Sequence, residues 1–161
     1  MLDQDGSARD INFQAPTWEG VDRFFRRVEG CFRDICVSDG NGTDLPNPNW
    51  QRMKQAVTQT GVVRGLFKGS QTLPRNMQAF VFKQGDGSPF LELTFFPEDF
   101  ANTDDLARSF LTWIEEAKTC LQAERYFCRY ENASWTFGDT GRYSGVFLVS
   151  DNADEILQRI T

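Results

Sequence analysis

The sequence predicts an α+β domain, a mostly antiparallel sheet packed against three main helices, and three observations carry that prediction. Apolar residues recur at three- and four-residue intervals in three stretches, which read as amphipathic helices. β-branched and aromatic runs are joined by turns rich in Gly and Asp, which read as hairpin strands. The two kinds of stretch do not alternate regularly, as a doubly wound parallel sheet would require. Fifteen Phe, four Trp and three Tyr in 161 residues supply one large core, because each ring buries on the order of 150–250 Å².

Met1–Gln14 reads as a loose N-terminal segment, and a single domain is expected over residues 15–161. Thr17 suits the N-cap of a first helix whose stripe is Val21, Phe24, Phe25, Val28, Phe32 and Ile35. The turn formers from Ser38 to Pro48 make a loop. Asn47-Pro48 then offers an N-cap followed by proline for a second helix, with Trp50, Met53 and Val57 inward and Gly61 ending it. Val62–Phe67 is a short strand, and Ala79–Lys83 and Phe90–Phe96 flank a hairpin turn, Gln84–Pro89, with Pro97 stopping the second arm. Asn102 or Thr103 caps the third helix, whose stripe is Leu106, Phe110, Trp113, Ile114, Ala117 and Leu121. Tyr126–Tyr130, Ser134–Phe137 and Tyr143–Ser150 are further strands, with a turn at Gly138–Gly141 and a short final helix over Asp154–Ile160.

Composition removes several classes of function. The chain has no histidine, so most hydrolase triads, zinc sites and haem attachments are out of reach, and no cofactor is expected. Its net charge of −6 repels phosphate backbones, so direct nucleic-acid binding is not expected. Arg23, Arg26, Arg27 and Arg33 are the best basic cluster, but Asp22 and Glu29 interleave with them and make an ion-paired helix face the cheaper reading. Cys31, Cys36, Cys120 and Cys128 form no CxxC and read as reduced thiols. No apolar run suits a signal peptide or a membrane span. A cytoplasmic protein with no membrane partner is the expectation.

The candidate sites each meet a simpler explanation. Asp39–Asp44 places oxygen ligands at alternate positions, yet an EF-hand needs Gly sixth and Glu twelfth, where this chain has Asp44 and Trp50. Gly85-Asp-Gly87 and Gly138-Asp-Thr-Gly141 lie between strands, with no helix N-terminus to bind phosphate. Glu98, Asp99, Asp104, Asp105, Glu131 and Asp139 could supply a carboxylate pair for a hydrolase acting on a small or sugar-like substrate. A cysteine nucleophile would have no histidine as its base. A small apolar-ligand-binding domain, with the surplus Phe as pocket lining, is a further alternative. Rings mixed with carboxylates around Phe95–Phe100 and Tyr130–Trp135 instead suit a protein-binding surface, since rings supply buried area and charge steers encounter.

In PFLELTFFPEDF, TDDLARSFLTWIEEAKT and RYFCRYENASWTFGDTG, over about residues 89–141, the chain resembles the immunity proteins of bacterial polymorphic toxin systems, of the contact-dependent or type VI secreted kinds. The resemblance is one of architecture and composition. It implies a non-enzymatic toxin inhibitor whose partner is a cognate, basic toxin, neutralised when an acidic, aromatic-bearing face occludes its active site. The residues expected on that face are Glu98, Asp99, Phe100, Asp104, Asp105, Glu131, Trp135 and Asp139.

Overall fold

The computed structural model describes residues 7–100, 104–130 and 146–150. Their elements in order are β1 (Arg9–Gln14), α1 (Trp18–Glu29), β2 (Asp34–Asp39), α2 (Trp50–Thr60), β3 (Val62–Lys68), β4 (Asn76–Lys83) and β5 (Pro89–Phe95). A 3₁₀ turn (Pro97–Asp99), α3 (Asp104–Leu121), β6 (Arg125–Tyr130) and β7 (Val146–Val149) follow. The strands form one seven-stranded sheet in the order β2-β3-β4-β5-β1-β6-β7. Every pairing is antiparallel. The expected α+β architecture with three main helices is the one observed.

Register sorts the strand residues onto two faces, because successive side chains point to opposite sides. One row across the sheet runs Val37, Gly65, Ala79, Leu93, Ile11, Cys128, and a neighbouring row runs Val63, Val81, Leu91, Phe13, Tyr126. All of these side chains are buried, and they share one core with Val21, Phe24, Val28, Met53, Val57, Phe110 and Ile114 of the helices. Each fully buried apolar side chain of this kind contributes roughly 1.5–3 kcal/mol. Small residues at the middle of the first row make room for rings. A β-carbon on Gly65 would lie 2.9 Å from the Phe67 ring and 3.0 Å from that of Phe25. With all three helices committed to this core, the opposite face carries no described helix.

The ends of α1 and α3 meet closely. Thr17 caps α1 by accepting the Gly20 amide, and its own amide donates to the Leu121 carbonyl at 3.1 Å. Arg23 Nε donates to the Cys120 carbonyl at 3.2 Å, placing a cation at the negative end of α3. The β4–β5 hairpin is pinned to the same region, where Trp18 Nε1 donates to the Gly87 carbonyl at 3.1 Å.

Three expectations need correction. The N-terminal segment, expected to be loose, contains β1, which sits between β5 and β6 in the sheet. Its alternating Ile11 and Phe13 enter the core, while Asp10 and Asn12 are buried on the other side by partners remote in sequence. The first helix ends at Glu29, not near Ile35: Phe32 lies in the connection and Ile35 in β2. Gly30 weakens helix continuation, and pairing with β3 captures the next residues as a strand. The second helix is capped by Asn49, whose side chain accepts the Arg52 amide, not by Asn47. Gly61 ends that helix in the left-handed conformation, as expected. The strand at Ser134–Phe137, the turn at Gly138–Gly141, the final helix at Asp154–Ile160 and the α3 caps Asn102 and Thr103 lie outside the described residues.

Candidate functional site

On the other face, which is helix-free among the described residues, the rows are Cys36, Leu66, Gln78, Thr94, Asp10, Arg129 and, beside it, Ser38, Arg64, Phe80, Glu92, Asn12, Phe127. The β1 end of the face is polar and buried. Arg129 Nη2 lies 3.3 Å from Asp10 Oδ2 and 3.7 Å from Glu92 Oε2. Thr94 Oγ1 donates to Asp10 Oδ1 at 2.8 Å. With its amide turned to match these neighbours, Asn12 donates to Glu92 Oε2 at 2.8 Å and its oxygen accepts from Arg129 Nε at 3.2 Å. Three strands are thereby cross-linked by groups that could not be buried singly without large cost.

The neighbouring part of the face is aromatic. Phe80 and Phe82 stack with centroids 6.3 Å apart and planes 15° apart, and Phe82 meets Phe90 at 6.4 Å. With Phe96, Glu92 and Arg129 they line an open cleft of about 600 Å³. Leu66 and Phe96, at 36% and 41% exposure, are the large hydrophobic residues left exposed among the described residues. Both belong to this face. Sequence reasoning did not single it out, since a run such as AFVFK does not reveal which rings turn away from the core. The alternation of Phe80 and Phe82 with Ala79 and Val81 was the available signal.

The residues expected on a partner-binding face are distributed as follows. Glu98 is exposed in the 3₁₀ turn, and half-buried Asp99 accepts from Asn76 Nδ2 at 2.6 Å. Phe100 is buried against Phe95 and Phe110, with centroids at 5.6 and 5.0 Å. It is a core ring and not a surface anchor, because the turn that Pro97 starts returns the chain to the core. Asp104 and Asp105 open α3. Glu131, Trp135 and Asp139 lie outside the described residues.

The other candidates resolve into structural roles. Asp39 Oδ1 accepts the amides of Asn41 and Thr43, each at 2.9 Å, which fixes the Asp39–Asp44 loop. Arg26 pairs with Asp22 and Arg27 with Glu116, so this part of the basic cluster is an ion-paired helix surface. The buried Phe rings pack on one another, as in the Phe24, Phe25 and Phe67 group, where the ligand-carrier alternative required them as pocket lining. Burial pushes the Cys128 thiol far up in pKa, and the Glu115 carboxylate adds to this. Burial also raises that of Cys120, against the pull of Arg23 and Arg27. Both therefore hold their protons at neutral pH and are poor nucleophiles. Among the described residues, no group of three or more Asp, Glu, Cys or His could hold a metal ion. No described helix is long and apolar enough to cross a membrane.

No family model and no curated protein matches the sequence. A search of solved structures does find a similar fold. The chain resembles a chain in the crystal structure of the toxic C-terminal tip of CdiA from Pseudomonas aeruginosa in complex with immune protein. The TM-score is 0.60 at 12% identity, over 90% of this chain and 95% of that one. At that identity the likeness is one of fold. It agrees with the toxin-immunity resemblance seen in the sequence.

Proposed function

We propose that this chain is an immunity protein, which binds a cognate toxin and blocks it without chemical turnover. The observation that carries the reading is the fold shared with a chain of a CdiA toxin–immune protein complex over nine-tenths of this chain. The immunity side of such a pair suits this molecule better than the toxic side. It has no histidine, and Asp10 and Glu92 in the cleft beside Phe80 and Phe82 share the guanidinium of Arg129. Inhibition then depends on shape and charge, with the protein meeting its partner in the bacterial cytoplasm.

The net charge of −6 suits a basic toxin, whose approach it would steer. Glu98, Asp99, Asp104 and Asp105, with Glu131, Trp135 and Asp139, are the residues proposed for that electrostatic contact; Phe100 leaves the set because it is buried. Co-expression provides the test. Cells carrying the toxin domain encoded beside this chain should grow when the chain is present and arrest when it is absent. Arrest in both cases, with the chain folded and abundant, would remove the proposal.

A further inference from the structure

Burial and charge on the helix-free face say more about how a partner is held. Leu66 and Phe96 are the large hydrophobic residues exposed among the described residues, and they lie on the same face as Phe80, Phe82 and Phe90. A cluster of this kind, rimmed by polar groups, is characteristic of a protein interaction surface. Two cations border its β3 side, with the exposed Asp34 of β2 opposite one of them. Arg64 and Lys68 flank Leu66 along β3, both are exposed, and neither makes an ion pair among the described residues. In a chain of net charge −6, two open cations beside exposed apolar groups specify what should cover them.

We infer that the β3–β5 part of the helix-free face is the apolar centre of the toxin contact, and that the toxin covers it with an apolar patch bordered by carboxylates that meet Arg64 and Lys68. This inference rests on the immunity reading. It places the principal contact on rings rather than on the acidic residues 98–105 alone. The two regions are contiguous, because Phe96 leads directly into the 3₁₀ turn that carries Glu98 and Asp99. Rings that exclude water at the centre would supply the affinity, and the charged rim would set orientation and encounter rate.

The experiment measures binding of the full chain to the purified toxin domain encoded beside it, by biolayer interferometry with catalytically inactive toxin. Leu66→Gln and Phe96→Gln replace exposed side chains, so unfolding temperatures should stay close to wild type. The double substitution should weaken binding at least about 30-fold, the scale of an interface hot spot. Arg64→Glu with Lys68→Glu should speed dissociation about tenfold, because the new carboxylates would face those of the toxin at the contact. Lys54→Glu on α2, exposed on the other side of the sheet, should change neither. Chemical-shift mapping of the wild-type complex gives an answer that needs no variant: changes should centre on β3, β4 and β5.

Wild-type binding that the face variants leave intact, or shifts confined to other surfaces, would overturn the inference while leaving the immunity reading in place. A free protein that is already dimeric through Leu66 and Phe96 would overturn it as well. Failure of the wild-type chain to bind the toxin would remove both.

Discussion

Arg129 on β6 reaches across to Asp10 on β1, and their charged groups lie 3.3 Å apart with side-chain exposures of only 7% and 4%. A strand from the start of the chain is thereby fastened to one that follows α3. The pair makes β1 a structural centre of the sheet.

Arg129→Ala should therefore destabilise the protein by about 3–5 kcal/mol, the usual cost of removing one partner from a buried ion pair. Asp10→Asn keeps the size and the acceptor for Thr94 and should cost less. Urea denaturation of both single variants and the double variant provides the check. Coupling between the two sites should be at least about 1 kcal/mol, and strictly additive losses would contradict the arrangement.

Glycine is needed at position 20 for space. A β-carbon there would collide with the Leu121 backbone carbonyl, whereas one on Gly30 would meet only the Arg27 carbonyl oxygen at an ordinary 3.7 Å. Gly20→Ala should force α1 from the end of α3 and cost at least about 2 kcal/mol. Gly30 has φ −80°, so Gly30→Ala should be neutral or stabilising by up to about 1 kcal/mol. Thermal melts of the two variants should shift in opposite directions or, at the least, very unequally.

Phe100→Ala should behave as a core truncation. Phe100 packs edge-on against Phe95 and against Phe110, so loss of its ring should cost about 3–5 kcal/mol. Stability measured by denaturant titration should fall by that amount. An unchanged midpoint with weakened toxin binding would instead return Phe100 to the partner surface.

The thiols should differ sharply in reactivity. Cys36 is exposed and Cys128 buried, so DTNB should label Cys36 in the native protein and Cys128 only after unfolding. Burial raises the Cys128 pKa in the folded state, so the native protein keeps a proton that the unfolded chain releases above about 8.5. The associated stability is complete below that pH and declines as pH rises past it. Cys128→Ser tests the linkage, because the variant should lose part of the alkaline fall in stability.

Much of this fold was legible in local patterns. The stripe from Phe110 to Leu121 announced α3, and Gly61 after a short amphipathic run announced the end of α2. β1 and β2 were harder to read because their partners are remote: nothing local shows that Asp10 and Asn12 are buried among Arg129, Thr94 and Glu92. Phe32 and Ile35 continue the spacing of α1 and change role only when β3 pairs with the residues that follow. The aromatic face was hidden for a related reason. Phe80 and Phe82 alternate with Ala79 and Val81, and either set could have faced the helices until the small Ala79 was placed beside Gly65, where the rings of Phe25 and Phe67 fill the space. Glu98 is exposed and Asp99 half-buried, and the sequence had no means of showing that Phe100 turns back inside.

Isothermal titration against the toxin domain encoded beside this chain tests most directly whether the molecule acts by holding a toxin. A saturable one-to-one complex with a Kd of about 1 μM or tighter is the expected result. Absence of binding between the two folded proteins would contradict the account.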